Sequence, residues 1–249
     1  MTNVIYIGLE PEIEYPNDGL LICDEVPQQF RKYRDNIFTP RDHSINPLEN
    51  NNDKTAREQA DNIYTIYPQG ANTLTVRDGL IDLAPALRTA KRLDELHKVA
   101  PSDEIVRLEK DILFAEVTRK ALTYHRPFTF KKNTLSIARI SRAKLGLKDA
   151  RILTYFLMSY YKGQIILPDA GDYLTDTHIN LLLEKRLIFS VTYLKELPEK
   201  FKRAALIRSQ RIPSKTNYED AAELATYDCP FPPHTDGYDT FIKKAMGHL

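Results

Sequence analysis

Thr134-Leu135-Ser136-Ile137-Ala138-Arg139-Ile140 and Gln164-Ile165-Ile166-Leu167, with the segment Leu147 to Tyr161 between them, decide the fold class. The two quoted runs are short, apolar and rich in β-branched residues, which is the composition of a buried strand. Between them Ile152, Leu153, Phe156, Leu157 and Tyr160 recur at three and four spacing, which predicts a helix with one inward face. The alternation continues downstream. Thr175 to Arg186 reads as a helix and Leu187-Ile188-Phe189-Ser190-Val191-Thr192 as a strand. Pro198 to Ala205 reads as a helix with proline in its first turn. Leu206 to Gln210 reads as a strand and Asn217 to Ala225 as a helix. Strands alternating with helices of this length predict an α/β fold whose mostly parallel sheet is covered on both faces.

Towards the N-terminus, Asn3-Val4-Ile5-Tyr6-Ile7-Gly8-Leu9 and Gly19-Leu20-Leu21-Ile22-Cys23-Asp24 are two further strands, separated by a turn rich in proline and acid. Gln28 to Asn36 is a short helix and Ile37-Phe38-Thr39 a brief strand ending at Pro40. From Asp53 to Tyr124 the period changes: Ile63, Ile66, Tyr67, then Leu80, Leu83, Ala84, Leu87, then Ile105, Leu108, Ile112, Leu113. That spacing predicts about four helical segments. Asp53 and Ser102 sit at N-cap positions, and Pro85 is placed to break or kink the second segment. The expected organisation is a first part of the α/β core at 1–52, a helical subdomain inserted at 53–124, the second part of the core at 125–226, and a tail at 227–249.

Composition excludes several classes. Two cysteines, Cys23 and Cys229, cannot build a disulfide framework or a zinc ribbon. No apolar run approaches the roughly 20 residues that span a bilayer, so no membrane is expected and the cytoplasm, or a virion, is the expected location. Nine glycines are few for chemistry that depends on glycine-rich loops. His43, His97, His125, His178, His234 and His248 show no metal-ligand spacing, and there is no G-x-S-x-G elbow.

The net charge of +1 hides a segregation. Residues 10–25 hold six acids (Glu10, Glu12, Glu14, Asp18, Asp24 and Glu25) and no lysine or arginine. Residues 117–148 hold nine cations and no acid. Arg126, Lys131, Lys132, Arg142 and Lys144 lie near strand ends or turns, and Tyr124, Phe128 and Phe130 are interleaved with them. Such a mixture suits DNA or RNA phosphates with some base stacking, although charge runs also serve simply to solvate a surface.

The order of elements resembles the type IV secretion coupling proteins and their HerA–FtsK relatives. Asp42-His43-Ser44-Ile45-Asn46-Pro47-Leu48 resembles that family's asparagine-proline-leucine turn, which precedes a helical subdomain. Ser141-Arg142-Ala143-Lys144-Leu145-Gly146 resembles the basic turn that reopens the core. Gln164 to Ala170 falls at the Walker B strand, and Leu187 to Thr192 at the strand that senses the γ-phosphate. The resemblance implies a RecA-like fold from Gly19 to Ala225. It does not carry the activity across. A nucleotide-hydrolysing member needs a G-x-x-x-x-G-K-[ST] loop, and none occurs here. Glu10-Pro11-Glu12-Ile13-Glu14-Tyr15-Pro16-Asn17-Asp18 stands in its place, anionic and too short for a loop and helix. At the Walker B position Asp169 is kept, but Ala170 replaces the catalytic glutamate.

The expectation is a catalytically inactive ATPase-like protein with no cofactor and no metal. It would act as a structural or regulatory subunit of a DNA-handling assembly, with protein partners, nucleic-acid contact through the five cations named above, and a homo-oligomer allowed. Two alternatives stay open. A Mg²⁺-dependent nuclease could use carboxylates at strand ends, namely Asp24, Glu25, Asp169 and Asp172. A structural protein of a virus or mobile element could also have borrowed the fold.

Overall fold

The structure, a computed structural model, describes residues 3–9, 11–49, 56–60, 63, 83–123, 126–175, 178–215 and 217–228, and single residues at 235, 237 and 240. Among them seven strands form one sheet: β1 (Asn3–Ile7), β2 (Gly19–Cys23), β3 (Ile37–Phe38), β4 (Leu135–Arg139), β5 (Ile165–Leu167), β6 (Leu187–Val191) and β7 (Ser209–Pro213). Their order is β3-β4-β2-β5-β6-β1-β7. By internal contacts the chain groups into two compact units, residues 16–166 and residues 1–15 with 167–249.

In the unit 16–166, β2 pairs in parallel with β4, Leu21 opposite Ile137, and with β5, Leu21 opposite Ile166. β3 adds in parallel to the far side of β4. All of β2, and all of β4 except Arg139, is buried, as a parallel sheet with both faces covered requires. The helix Leu147–Tyr160 begins where the sequence places it and buries Ile152, Leu153, Phe156 and Leu157. Gln28–Asn36 is a 3₁₀ helix whose backbone departs from helical geometry at Tyr33.

No described residue between 56 and 123 is in a strand. Helical runs at 56–60 and 83–89 are followed by Leu96–Val99, Asp103–Ile112 and Glu116–Leu122. Ser102 caps Asp103–Ile112, its hydroxyl accepting from the Ile105 amide at 3.4 Å. The run 83–89 continues through Pro85 rather than breaking there. Asp53, and the apolar residues from Ile66 to Leu80, lie outside the described residues. The asparagine-proline-leucine turn ties this helical segment down. Asn46 Nδ2 donates to the Lys91 carbonyl at 3.0 Å, and Gln59 Nε2 donates to the Pro47 carbonyl at 3.3 Å. Thr118 Oγ1 donates to the Asp149 carboxylate at 2.7 Å, joining Glu116–Leu122 to Leu147–Tyr160.

In the other unit β1 lies between β6 and β7, parallel to both, with Ile5 opposite Phe189 on one side and Arg211 on the other. The Asn3 side chain brackets the start of β6, donating to the Leu182 carbonyl and accepting from the Leu187 amide, both at 2.8 Å. Helices Ile179–Glu184, Glu199–Arg208 and Tyr218–Asp228 complete this unit. Two expected boundaries are corrected. Leu206 does not open β7. It is buried as part of the helix that starts at Glu199, in step with Phe201 and Ala205, and the strand starts at Ser209. β7 ends the sheet and is partly exposed, so it needs no apolar run and gives none to read. The expected helix Thr175 to Arg186 is shorter, Ile179–Glu184; Thr175, Lys185 and Arg186 are not helical, and 176–177 lie outside the described residues. The expected last helix near Phe241, and Pro230 to Pro233, lie outside the described residues.

Candidate functional site

Ligands of open α/β sheets bind at the carboxyl ends of the strands. In a nucleotide-binding member of such a fold, a loop and helix after the first strand supply backbone amides to phosphate. Here β1 ends at Ile7, and the residue that follows is Gly8 at φ +121. The Gly8 amide is spent on the Val191 carbonyl at 3.0 Å. The Ser214 amide donates to the Ile7 carbonyl at 2.6 Å, which brings the chain after β7 over the end of β1. A Cβ built on Gly8 would lie 1.4 Å from the Ser214 carbonyl oxygen, so protein backbone fills the space beside Gly8. From Pro11 to Tyr15 the chain is irregular. Pro11, Ile13 and Tyr15 are half-buried and Glu12 and Glu14 are exposed, the alternation of an extended segment. The Glu14 amide donates to the Tyr6 hydroxyl at 3.2 Å, holding this segment against β1. No described residue between β1 and β2 is helical.

After β5, Asp169 is exposed and left-handed at φ 54, its amide donating to Ser190 Oγ at 3.1 Å. Ala170, which follows Asp169, is fully buried. The Glu196 side chain packs on Gly171, where an added Cβ would lie 2.6 Å from the Glu196 Cβ. Glu196 also accepts from the Thr192 amide at 3.2 Å. A side chain larger than alanine at 170 therefore has no solvent to enter.

The five cations singled out in the sequence are not brought together. A five-residue strand spans about 17 Å, so residues before and after β4 lie at opposite edges of the sheet. Lys131 and Lys132 precede β4. They line a groove of about 720 Å³ with Asp18, Glu49, Phe130, Tyr160, Tyr161 and Lys162, among others. The rings are mutually packed, with Phe130 and Tyr161 centroids 5.4 Å apart and edge-to-face. Lys131, Lys132 and Lys162 are exposed and have no ion-pair partner among the described residues. The carboxylates at this groove are partly engaged: Asp18 accepts from Gln164 Nε2 at 2.6 Å and Glu49 from the Tyr160 hydroxyl at 3.0 Å. Burial and the Asp18 charge push the Tyr161 phenol above its ordinary pKa.

Arg142 and Lys144 lie at the other edge, after β4. Arg142 is engaged with Asp24, its amide donating to Oδ1 at 2.9 Å and its Nε to Oδ2 at 3.3 Å. Lys144 is exposed on the short helix Arg142–Leu145. Arg126 stands apart from both pairs, in a separate cleft with Arg41 and Lys120.

Sequence reading named Phe128 and Phe130 but missed Lys162 and Tyr161 beside Phe130. A signal existed: β4 and β5 flank β2 in parallel, so the turns that lead into them, with Lys131-Lys132 and Lys162, must share one edge. It also missed Ser214, for which the sequence carries no signal.

The remaining chemistry is sparse. Cys23 is buried, and burial together with the Asp24 charge pushes its thiol up to about 12, so it is a core residue rather than a nucleophile. His43 Nδ1 accepts from the Thr39 amide at 3.1 Å. Among the nuclease candidates, Asp24 is committed to Arg142. Among the described residues no three His, Cys, Asp or Glu side chains gather where they could hold a metal ion.

No protein-family model matches the sequence, and no curated protein matches it. In fold, the chain is similar to VirB4 of Thermoanaerobacter pseudethanolicus, with a TM-score of 0.65 at 9% identity, over 90% of this chain and 80% of that one. The parallel α/β sheet thus has a RecA-like arrangement, and among the described residues no helix is long and apolar enough to cross a membrane.

Proposed function

We propose that this chain is a catalytically inactive relative of the VirB4 and FtsK type of ATPase, serving as a structural or regulatory subunit in a DNA-handling assembly. One observation carries the reading. Where a nucleotide-binding member presents free amides and a helix, this chain ends β1 under the Ser214 carbonyl and continues in an extended acidic segment. A triphosphate would meet backbone oxygen and the charges of Glu12 and Glu14 instead of donors. Ala170 supplies no base to activate water. The protein then works by docking to partners and by electrostatic contact, with no nucleotide-driven stroke.

Nucleic-acid contact, in this reading, runs through the groove before β4 and β5. Three exposed lysines with no ion-pair partner among the described residues, beside half-buried rings, form a surface that tracks a phosphate backbone and offers ring edges to unstacked bases. Arg142, already neutralised by Asp24, contributes less. The test is DNA binding, single-strand and duplex, at two salt concentrations. Lys131→Gln with Lys132→Gln is expected to weaken single-strand binding and to reduce the salt slope by more than about one unit. Lys144→Gln is expected to leave the slope nearly unchanged. No binding by the wild type at low salt would remove nucleic acid from the reading and leave protein docking.

A further inference from the structure

Arg41, Asp42, His43, Lys120 and Arg126 line a cleft of about 270 Å³ within the unit 16–166. Three of these five side chains are cations and a fourth is a histidine. They come from three segments: the turn after β3, the helix Glu116–Leu122, and the start of the stretch leading to β4.

Like charges do not gather without a cause, since each unneutralised pair raises the energy of the fold. Here the backbone holds the segments together regardless of their charge. The Ser44 amide donates to the Arg126 carbonyl at 2.7 Å, and the Arg126 amide donates to Ser44 Oγ at 2.8 Å. The Phe128 amide donates to the Ser44 carbonyl and the Ile45 amide to the Ala121 carbonyl, both at 2.8 Å. Ser44 itself is buried, and a parallel bridge joins it to Pro127. These bonds fix Arg41 and His43 beside Arg126 and beside the helix that carries Lys120.

The histidine is oriented as a donor. Its Nδ1 accepts from the Thr39 amide at 3.1 Å, so the proton of the neutral ring sits on Nε2. Phe128 packs edge-to-face on the ring with centroids 4.8 Å apart. Two acids stand nearby: Asp42, which accepts the Thr39 hydroxyl at 2.6 Å and keeps its charge, and Glu116, which pairs with Lys120 at 2.5 Å. Arg41 and Arg126 are exposed and have no ion-pair partner among the described residues.

We infer that this cleft is a binding site for a phosphate group. Two guanidinium forks and an imidazole N–H match the several oxygens of a tetrahedral oxyanion, and arginine binds phosphate in two-point fashion, while Lys120 stays with Glu116. The site is independent of the lysine groove and of the inactive reading of β1. The phosphate is either free or a monoester on a small molecule, or else the diester of a nucleic-acid backbone.

The experiment is titration of the ¹⁵N-labelled full chain, at constant ionic strength, with two probes: inorganic phosphate, and a short single-stranded oligonucleotide lacking terminal phosphates. Saturable shifts of the Arg41–Ser44 and Arg126 amides with inorganic phosphate, not reproduced by chloride, support the site and assign it to free or monoester phosphate. The same shifts with the oligonucleotide alone support it and assign it to the diester. Arg41→Gln with Arg126→Gln is expected to weaken either response at least tenfold, while Lys131→Gln with Lys132→Gln leaves it unchanged. Arg126→Lys, which keeps the charge and loses the fork, is the milder variant should the double one fail to fold, and is expected to weaken binding several-fold. Shifts equal to those with chloride, no response to either probe, or a response unchanged in Arg126→Lys and in a folded double variant would overturn the proposal.

Discussion

Gly8→Ala is expected to be among the most damaging single substitutions in this chain, costing about 3 kcal/mol or more. Two penalties add. At φ +121 an L side chain is strained whatever the space around it. The new Cβ would also meet the Ser214 carbonyl oxygen at 1.4 Å, and that atom is backbone, not the far end of a flexible side chain. Relief requires the chain after β7 to lift from the end of β1. That movement breaks the bond from the Ser214 amide to the Ile7 carbonyl and loosens the pairing of Ile7 with Pro213. Gly146→Ala is the control. Gly146 also has positive φ, at +80, but an added Cβ there meets nothing within 4 Å. Only the conformational cost remains, about 1–3 kcal/mol for a region that glycine alone adopts freely. Urea unfolding of the two variants reads the difference. Equal, small shifts in midpoint would mean that the end of β1 is open, and the case against a phosphate site there would lose its main support.

Ala170→Glu places a carboxylate where the proposed reading sets a lost Walker B glutamate, and is expected to destabilise the protein by several kcal/mol without conferring hydrolysis. Ala170 is fully buried after β5, beside the Glu196 side chain packed on Gly171. A carboxylate at 170 is either buried without a partner, at a cost of several kcal/mol, or forces the turn Ala170–Asp172 open. Asp169→Asn separates burial from charge. Asp169 is exposed and left-handed, a conformation asparagine tolerates, so that change is expected to stay within about 0.5 kcal/mol. Thermal melts of both variants, with phosphate release from ATP, check the pair. A stable Ala170→Glu protein that hydrolyses ATP would show a site that is only one residue short of activity.

The sheet was largely legible because its central strands are apolar runs that fit nothing but a buried position. β2 and β6 are buried throughout, and their ends fall within a residue of those read from composition. β7 was misplaced because an edge strand needs no apolar signature, and Leu206 satisfies a helix equally well. The helical segment was legible as helix from its three-four spacing, as Ile105, Leu108 and Ile112 show by being buried on one face of Asp103–Ile112. The missing loop after β1 was legible as an absence, since Glu10 to Asp18 contains no phosphate-binding pattern. What occupies its place was not legible, because the contact of Gly8 with Ser214 joins residues about two hundred positions apart. The basic stretch was legible as charge but not as a surface. Its members lie before and after one strand, and a strand sends its two ends to opposite edges.

Titration of the full chain with ATP and Mg²⁺, followed by heat and by melting temperature, tests the central claim most directly. No binding is expected up to about 1 mM, the concentration that corresponds to roughly 4 kcal/mol of affinity. Saturable binding tighter than that, displaced by ADP, would contradict the reading of the β1 end as closed to nucleotide.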